Sequence, residues 1–172
     1  MDSEGVRIIY CVDTSSLICL KSYPSDIFKD LWSNIEGLIR EGRMIAPSEV
    51  RSELEHWDDE IHAWAKTHEG TFVRRDGKLL QKAHEIVRKF PGLIDASKET
   101  DDADPYVIAL VLVRMGDHND LPGLEKTKYI VVAEEVGRGP TKIPGVCSHY
   151  GIECIGILDM FRRESWKFTL GK

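Results

Sequence analysis

The chain has 172 residues, of which 42% are hydrophobic and 30% are charged, and these values are typical of one globular domain with one core. Its formal net charge of -6 argues against a protein that packages DNA nonspecifically, because phosphate binding depends on Lys and Arg. A locally basic face is still compatible with that total charge. We expect a single domain over residues 1–172.

The cysteines and the N-terminal residues indicate the cellular compartment. The cysteines stand at positions 11, 19, 147 and 154, and no pair has C-x-x-C spacing, so we expect the free thiols of a reducing cytosol. The opening residues 1–4 (MDSE) lack the basic and apolar segments of a signal peptide. The longest apolar-rich run, 106–115, is too short to span a bilayer. We therefore expect a soluble, cytoplasmic protein without membrane association.

Strands and helices alternate along the first part of the chain. Residues 6–12 are apolar and β-branched, as in a strand that is buried on both faces of a parallel sheet. Ser25 is predicted to cap a helix whose apolar residues follow helical spacing up to Gly42. A short strand at 44–46 then precedes a helix that begins near Ser48.

The same alternation continues to the end of the chain. The predicted elements are a helix at 58–69, a short extended piece at 71–74, a helix capped by Asp76 and stopped by Pro91, a helix from Asp104, a polar loop at 116–128, and strands at 129–133 and 152–157. Repeated strand-then-helix units of this kind predict one α/β domain with a central parallel sheet.

Acidic residues follow several of these predicted strands. Asp13 comes directly after the first strand, and Glu134 and Glu135 come directly after a later one. Asp104 opens a helix, and Glu53 lies on the helix that follows the second strand. Because parallel sheets bind their ligands beyond the carboxyl ends of the strands, we expect these side chains to gather at one edge of the sheet.

Carboxylates that gather in this way predict a bound cation. They repel one another, which raises their pKa values unless a positive charge neutralises them. Hard divalent ions prefer carboxylate and water oxygens, so the expected ion is Mg²⁺ or Mn²⁺. No H-E-x-x-H, G-x-S-x-G or P-loop pattern, which would indicate other chemistry, occurs in the sequence.

Two segments of the first half carry a specific resemblance. Residues 12–18 (VDTSSLI) resemble the opening of PIN domains, in which a strand ends in Asp followed by Thr or Ser and an apolar pair. Residues 47–54 (PSEVRSEL) resemble the second PIN motif, in which a Glu before Leu is the acid. The resemblance therefore points to Glu53 rather than to Glu49 or Glu55.

Two later segments extend the resemblance. Residues 101–109 (DDADPYVIA) are similar to the third PIN motif, in which Asp precedes an Ile-Ala helix; Asp104 is the match and Asp101 is a helper one turn earlier. Residues 131–135 (VVAEE) stand where the family has Val-Thr-x-Asp. Glu135 then takes the place of the fourth acid, and Glu134 remains the alternative.

The resemblance covers residues 8 to about 157 and implies a fold and an activity. The implied fold is the PIN-like three-layer α/β/α arrangement around a central parallel sheet. The implied activity is metal-dependent endoribonuclease cleavage that leaves a 5′-phosphate and a 3′-hydroxyl. The implied ligands of Mg²⁺ or Mn²⁺ are Asp13, Asp104 and Glu135.

The resemblance also implies supporting roles. Glu53 would complete the coordination shell or orient the attacking water. Thr14 and Ser15 would donate hydrogen bonds that orient the Asp13 carboxylate, and Asp101 would assist near Asp104.

The segment 143–154 is similar to a PIN-like subfamily associated with bacterial toxin–antitoxin pairs. This similarity implies the toxin of a type II pair, with an RNA substrate and a small antitoxin protein as partners; a homodimer is left open.

Other interpretations remain beside this one. The fourth motif departs from the family pattern, because Ala133 stands where Thr is expected and Glu135 where Asp is expected. These departures favour a PIN-like protein that has lost catalysis and acts as a binding or scaffold module. A phosphatase of the haloacid dehalogenase type needs D-x-D-x-T after its first strand, and Asp13 is followed here by Thr14 and Ser15, so that motif is not matched. Asp13 can also cap a turn, and Asp104 before Pro105 can cap a helix.

Overall fold

The structure is a computed structural model that describes residues 6–56, 60–94, 102–119, 126–135, 137, 139 and 141–167. Its strands are Arg7–Val12 (β1), Met44–Pro47 (β2), Phe72–Val73 (β3), Thr127–Val132 (β4) and Glu153–Ile155 (β5). Its helices are Thr14–Cys19 (α1), Lys29–Arg40 (α2), Ser48–Leu54 (α3), Glu60–Thr67 (α4), Gly77–Lys89 (α5), Asp104–Asn119 (α6), Ile143–His149 (α7) and Ile157–Arg163 (α8).

The five strands form one parallel sheet in the order β3-β2-β1-β4-β5. Strand β1 is central and pairs with β4 along its whole length, from Arg7 opposite Thr127 to Val12 opposite Val132. Both strands are buried over their last three residues, because helices cover both faces of the sheet. The fold is therefore α/β with three layers, as the sequence predicts.

Neighbouring residues of β1 show the two faces directly. The Tyr10 hydroxyl donates a 2.7 Å hydrogen bond to Glu164, the residue after α8. The next side chain, the Cys11 thiol, donates to the carbonyl of Val107 on α6 at 3.6 Å. Successive side chains of a strand point to opposite faces, so α8 and α6 lie on opposite sides of the sheet.

The direction of the chain connections explains this layering. The path from β1 to β2 runs one way across the sheet, and the path from β3 to β4 runs back past both strands. Parallel crossovers are right-handed, so connections in opposite directions place their helices on opposite faces. The reversal leaves a crevice between the carboxyl ends of β1 and β4, which is where such sheets bind ligands.

Most of the predicted elements are confirmed. The predictions at 6–12, 44–46 and 71–74 correspond to β1, β2 and β3, and Asp76 caps α5 through a 2.8 Å bond from the Leu79 N–H. The helix predicted at 58–69 is α4, the strand predicted at 129–133 begins earlier, at Thr127, and the one predicted at 152–157 is shorter. The predicted loop at 116–128 is wrong over its first residues, because α6 continues to Asn119.

The prediction that Ser25 caps the second helix is wrong. Residues 25–27 form a separate turn, in which the N–H groups of Ile27 and Phe28 donate to the Pro24 carbonyl. Helix α2 begins only at Lys29. Phe28 departs from helical geometry where its ring packs edge-on against Tyr23, with 5.4 Å between the ring centroids.

Of the helices in the described parts of the chain, none combines the length and the apolar character needed to cross a lipid bilayer.

Candidate functional site

Asp13 lies at the carboxyl end of the central strand and is almost completely buried, with 3% of its surface exposed. It caps helix α1, because its carboxylate accepts a 2.8 Å hydrogen bond from the Ser16 N–H and a 2.7 Å bond from the Ser15 hydroxyl. Burial raises the pKa of Asp13, and the bonds from Ser15 and Ser16 partly oppose that rise. Asp13 is therefore both a helix cap and a rigidly oriented carboxylate.

The start of α1 is also tied to the end of β4. The Ser15 hydroxyl accepts a 3.0 Å hydrogen bond from the Glu134 N–H while it donates to Asp13. The Ser16 hydroxyl donates to the Val132 carbonyl at 2.9 Å. These contacts join the two strand ends that border the crevice.

The Glu53 side chain reaches the carboxyl edge of the sheet from helix α3. One of its oxygens accepts a hydrogen bond from the Thr14 hydroxyl, and the other accepts a 3.1 Å bond from the Ala103 N–H. Thr14 therefore contacts Glu53 rather than Asp13, which differs from the expected pairing. Glu53 connects the start of α1 with the residue that precedes Asp104.

Asp104 is the electrostatic centre of the group. Its pKa is raised from 3.8 to about 7, first by burial and then by the negative charges of four neighbouring carboxylates, Glu135, Asp13, Glu53 and Asp102. Among the described residues, no donor forms a hydrogen bond with the Asp104 side chain. The four acids predicted from the sequence therefore lie close enough together to interact, although they come from four distant segments.

The adjacent residues Glu134 and Glu135 point to different parts of the structure. Glu134 accepts a 2.5 Å hydrogen bond from the N–H of Ile157, the first residue of α8. Glu135 accepts a 2.9 Å bond from the Lys142 ammonium and a 2.8 Å bond from the Ile143 N–H, and its charge acts on Asp104. Of the two candidates for the fourth acid, Glu135 is the one that belongs to this group.

The rejected alternatives, Glu49 on α3 and Glu55 directly after it, have other partners. Glu49 is buried and lies 3.6 Å from the Arg75 guanidinium, and Glu55 forms a weak 4.0 Å contact with Arg51. Asp101 lies outside the described residues. In the described parts of the chain, no three His, Cys, Asp or Glu side chains are arranged as a ready-made set of metal ligands.

Three residues near this edge were not predicted as parts of the site. Asp102 is 9% exposed and adds its charge to the group; its place two residues before Asp104 was the available signal. Lys142 lies directly before α7 and belongs to none of the motifs from which the site was predicted. Arg75 lies just after β3, and its guanidinium is 3.1 Å from the Tyr106 hydroxyl and 5.7 Å from that ring's centroid.

Several basic side chains of the described residues are paired with nearby acids. Lys78 contacts Asp117 at 3.1 Å. Arg162 contacts Asp159 on its own helix, and Arg163 contacts Glu153 on β5. These pairs have the character of a solvated surface, whereas Arg75 lies against Tyr106 of α6.

A model of the family described as "Domain of unknown function (DUF4411)" matches residues 10–168, a range that includes every acid named above. No curated protein and no solved structure matches the chain.

Proposed function

We propose that this chain, which belongs to the DUF4411 family, is an endoribonuclease that depends on Mg²⁺ or Mn²⁺. The observation that carries the proposal is the environment of Asp104, where burial and four neighbouring carboxylates raise the pKa to about 7. A carboxylate in such surroundings tends to bind a proton or a metal ion, because either one reduces the repulsion between the negative charges.

The chemistry of the donors fits a hard divalent ion. The charged groups that raise the pKa of Asp104 are carboxylates, which Mg²⁺ and Mn²⁺ prefer over softer ligands. Asp13, Asp104 and Glu135 would hold the ion. Mutual repulsion keeps carboxylates apart until a cation neutralises them, so a complete ligand set is expected to form with the ion. When bound, the ion would activate a water molecule and stabilise the negative charge on the phosphate.

Each residue of the chain then has a separate task. Ser15 and the Ser16 N–H hold the Asp13 carboxylate in one orientation. Glu53, whose two oxygens accept hydrogen bonds from Thr14 and Ala103, positions the start of α6 and would complete the coordination shell or orient the attacking water. Asp104, whose pKa is about 7, is partly protonated near neutral pH when no cation is present, and cation binding would release that proton.

RNA is the proposed substrate because of the resemblance to PIN domains and because two basic side chains flank the acids. Arg75 follows the edge strand β3 on one side, and Lys142 lies beside the end of β4 on the other. The Arg75 side chain is 43% exposed, and the guanidinium group is well suited to binding phosphate oxygens. A strand that crosses the sheet edge between these residues would pass over Asp104.

The cellular setting belongs to the same proposal. The similarity of residues 143–154 to toxin-associated PIN-like proteins supports a cytoplasmic toxin of a type II toxin–antitoxin pair. A small antitoxin that offers a basic side chain would suit an acidic site in a chain of net charge -6, since complementary charges speed association.

A cleavage assay with purified protein tests the proposal. Wild-type protein should cut single-stranded RNA with Mg²⁺ or Mn²⁺, lose activity in EDTA, and regain it when the ion is restored. Asp13→Asn should lower the rate by about 100-fold or more, since even one preorganised stabilising group is worth that much. Asp159→Asn is the matched control, because Asp159 is 59% exposed on α8.

Cleavage that persists in EDTA, or that is equal in wild type and Asp13→Asn, would contradict the proposal. RNA binding without cleavage in either metal would favour the alternative, a PIN-like binding module.

A further inference from the structure

Glu135 already contacts a positively charged side chain of the same protein, that of Lys142. The Lys142 ammonium donates to one Glu135 oxygen at 2.9 Å, and the Ile143 N–H donates to the other at 2.8 Å. Glu135 is also the neighbouring charge with the largest effect on Asp104. Lys142 therefore neutralises one of the acids to which the metal is assigned.

The two donors to Glu135 differ in how easily they can move away from its carboxylate. The Ile143 N–H belongs to the first residue of α7, so it moves only with that helix. Lys142 carries its charge on a flexible four-carbon stem, and 47% of its side chain is exposed. A carboxylate has lone pairs for more than one partner, so the amide can stay when an ion binds. The ammonium, a full positive charge, repels a divalent ion on the same carboxylate.

We propose that Lys142 is an internal competitor of the divalent cation: its ammonium occupies Glu135 in the metal-free protein and is displaced when the ion binds. This inference rests on the proposed function. Competition for Glu135 makes the two events antagonistic, so the ion weakens the Lys142 contact by the same factor as Lys142 weakens binding of the ion. Lys142 would then set the metal concentration at which the site becomes loaded.

A methionine substitution tests this directly, because methionine keeps the length of the stem and removes the charge and the donors. The matched control is Lys128→Met. Lys128 forms a 2.7 Å pair with Glu153 and is 45% exposed, nearly the same as Lys142, and it lies near the opposite end of β4. Each glutamate keeps a second donor after the substitution, the Ile143 N–H for Glu135 and Arg163 for Glu153.

Mn²⁺ binding is measured by titration calorimetry with the full chain. We expect Lys142→Met to bind Mn²⁺ ~5-fold more tightly or better, the lower end of typical coupling between two sites. Lys128→Met should bind like wild type, and Lys142→Arg, which keeps the charge, should bind no more tightly than wild type. Melting curves give a second measurement: saturating Mn²⁺ should raise the melting temperature of Lys142→Met more than that of wild type.

The outcomes separate the two proposals. Equal or weaker Mn²⁺ binding by Lys142→Met, with normal binding by wild type, overturns the role of Lys142 and leaves the nuclease proposal intact. Equal tightening in Lys128→Met also overturns it, because the effect would then be one of net charge. A wild-type protein that binds no Mn²⁺ overturns the metal site and the competition with it.

Discussion

Glu53 accepts a 3.1 Å hydrogen bond from the backbone N–H of Ala103, the residue immediately before Asp104. An acid on α3 thereby holds the first residue of α6 at the edge of the sheet. Ala103 is 1% exposed, so water cannot easily replace this acceptor.

Glu53→Ala should therefore destabilise the protein by ~1–3 kcal/mol, the cost of a buried donor without a partner. Urea denaturation measures the loss, and amide hydrogen exchange should become faster at Ala103. Glu53→Gln keeps a carbonyl oxygen and should lose less. An unchanged exchange rate at Ala103 in Glu53→Ala would show that the bond does not hold this end of α6.

Asp104 should make the metal-free protein less stable as the pH rises. Its pKa is about 7 in the folded chain against an ordinary value of 3.8, so the folded state binds a proton more tightly than the unfolded state. The stabilisation is complete below pH ~4 and is lost as the pH rises through 7. Asp104→Asn, which stays neutral, should be more stable than wild type by ~1–3 kcal/mol at pH 8 in EDTA.

Denaturation at pH 4 and at pH 8 checks this sign. At pH 4 the two proteins should differ little in stability, because this pH is far below the folded-state pKa of about 7 and close to the ordinary value of 3.8, so most of the penalty for ionising Asp104 has not yet appeared. A difference that is the same at both pH values would mean that Asp104 does not titrate in this range.

The neighbours Glu134 and Glu135 should respond differently to the same change. Glu135→Gln should weaken Mn²⁺ binding by ~10-fold or more, a loss that even the partners of metal ligands cause. Glu134 bonds to the N–H of Ile157 instead, and a glutamine carbonyl can accept that bond. Glu134→Gln should therefore bind Mn²⁺ like wild type, and titration calorimetry of both variants decides between them.

The opposite result, with Glu134→Gln weakened and Glu135→Gln unchanged, would assign the fourth acid to Glu134.

Expression in bacteria tests the proposed role as a toxin. Wild-type protein expressed alone should slow growth, because uncontrolled RNA cleavage stops protein synthesis, and co-expression of a small neighbouring gene should relieve this. Asp13→Asn should be harmless yet still bind the partner in a pull-down, since only one charge is changed. Normal growth with abundant soluble wild-type protein would contradict the toxin role but not the nuclease chemistry.

The sequence predicted the sheet and the group of acids because both depend on strong local patterns. The uninterrupted apolar run of β1 and the helical spacing of α5 follow from burial alone. The carboxyl-edge rule then placed Asp13 near Glu134 and Glu135 without any knowledge of side-chain positions. The resemblance to PIN domains led to the choice of Glu53 over Glu49 and Glu55, which lie in the same segment.

Other parts could not be predicted, since they depend on packing between distant segments. Helix α1 has only six residues and α7 contains Pro144 and Gly145, so neither has a readable helical period. The Thr14 hydroxyl donates to Glu53 only because α1 and α3 lie side by side. Lys142 belongs to no motif, and its pairing with Glu135 depends on how the end of β4 lies against the start of α7.

The pairing of β1 with β4 also has a consequence during synthesis of the protein. The ribosome makes Asp13 early, but the strand that pairs with β1 along its whole length, and Glu135 beyond it, emerge more than a hundred residues later. Contacts between such distant segments form slowly, because the long loop must close first. A nascent chain that stops before β4 lacks Glu135 and the strand that pairs with β1, so the acidic group and the crevice beside it can form only after β4 has been made.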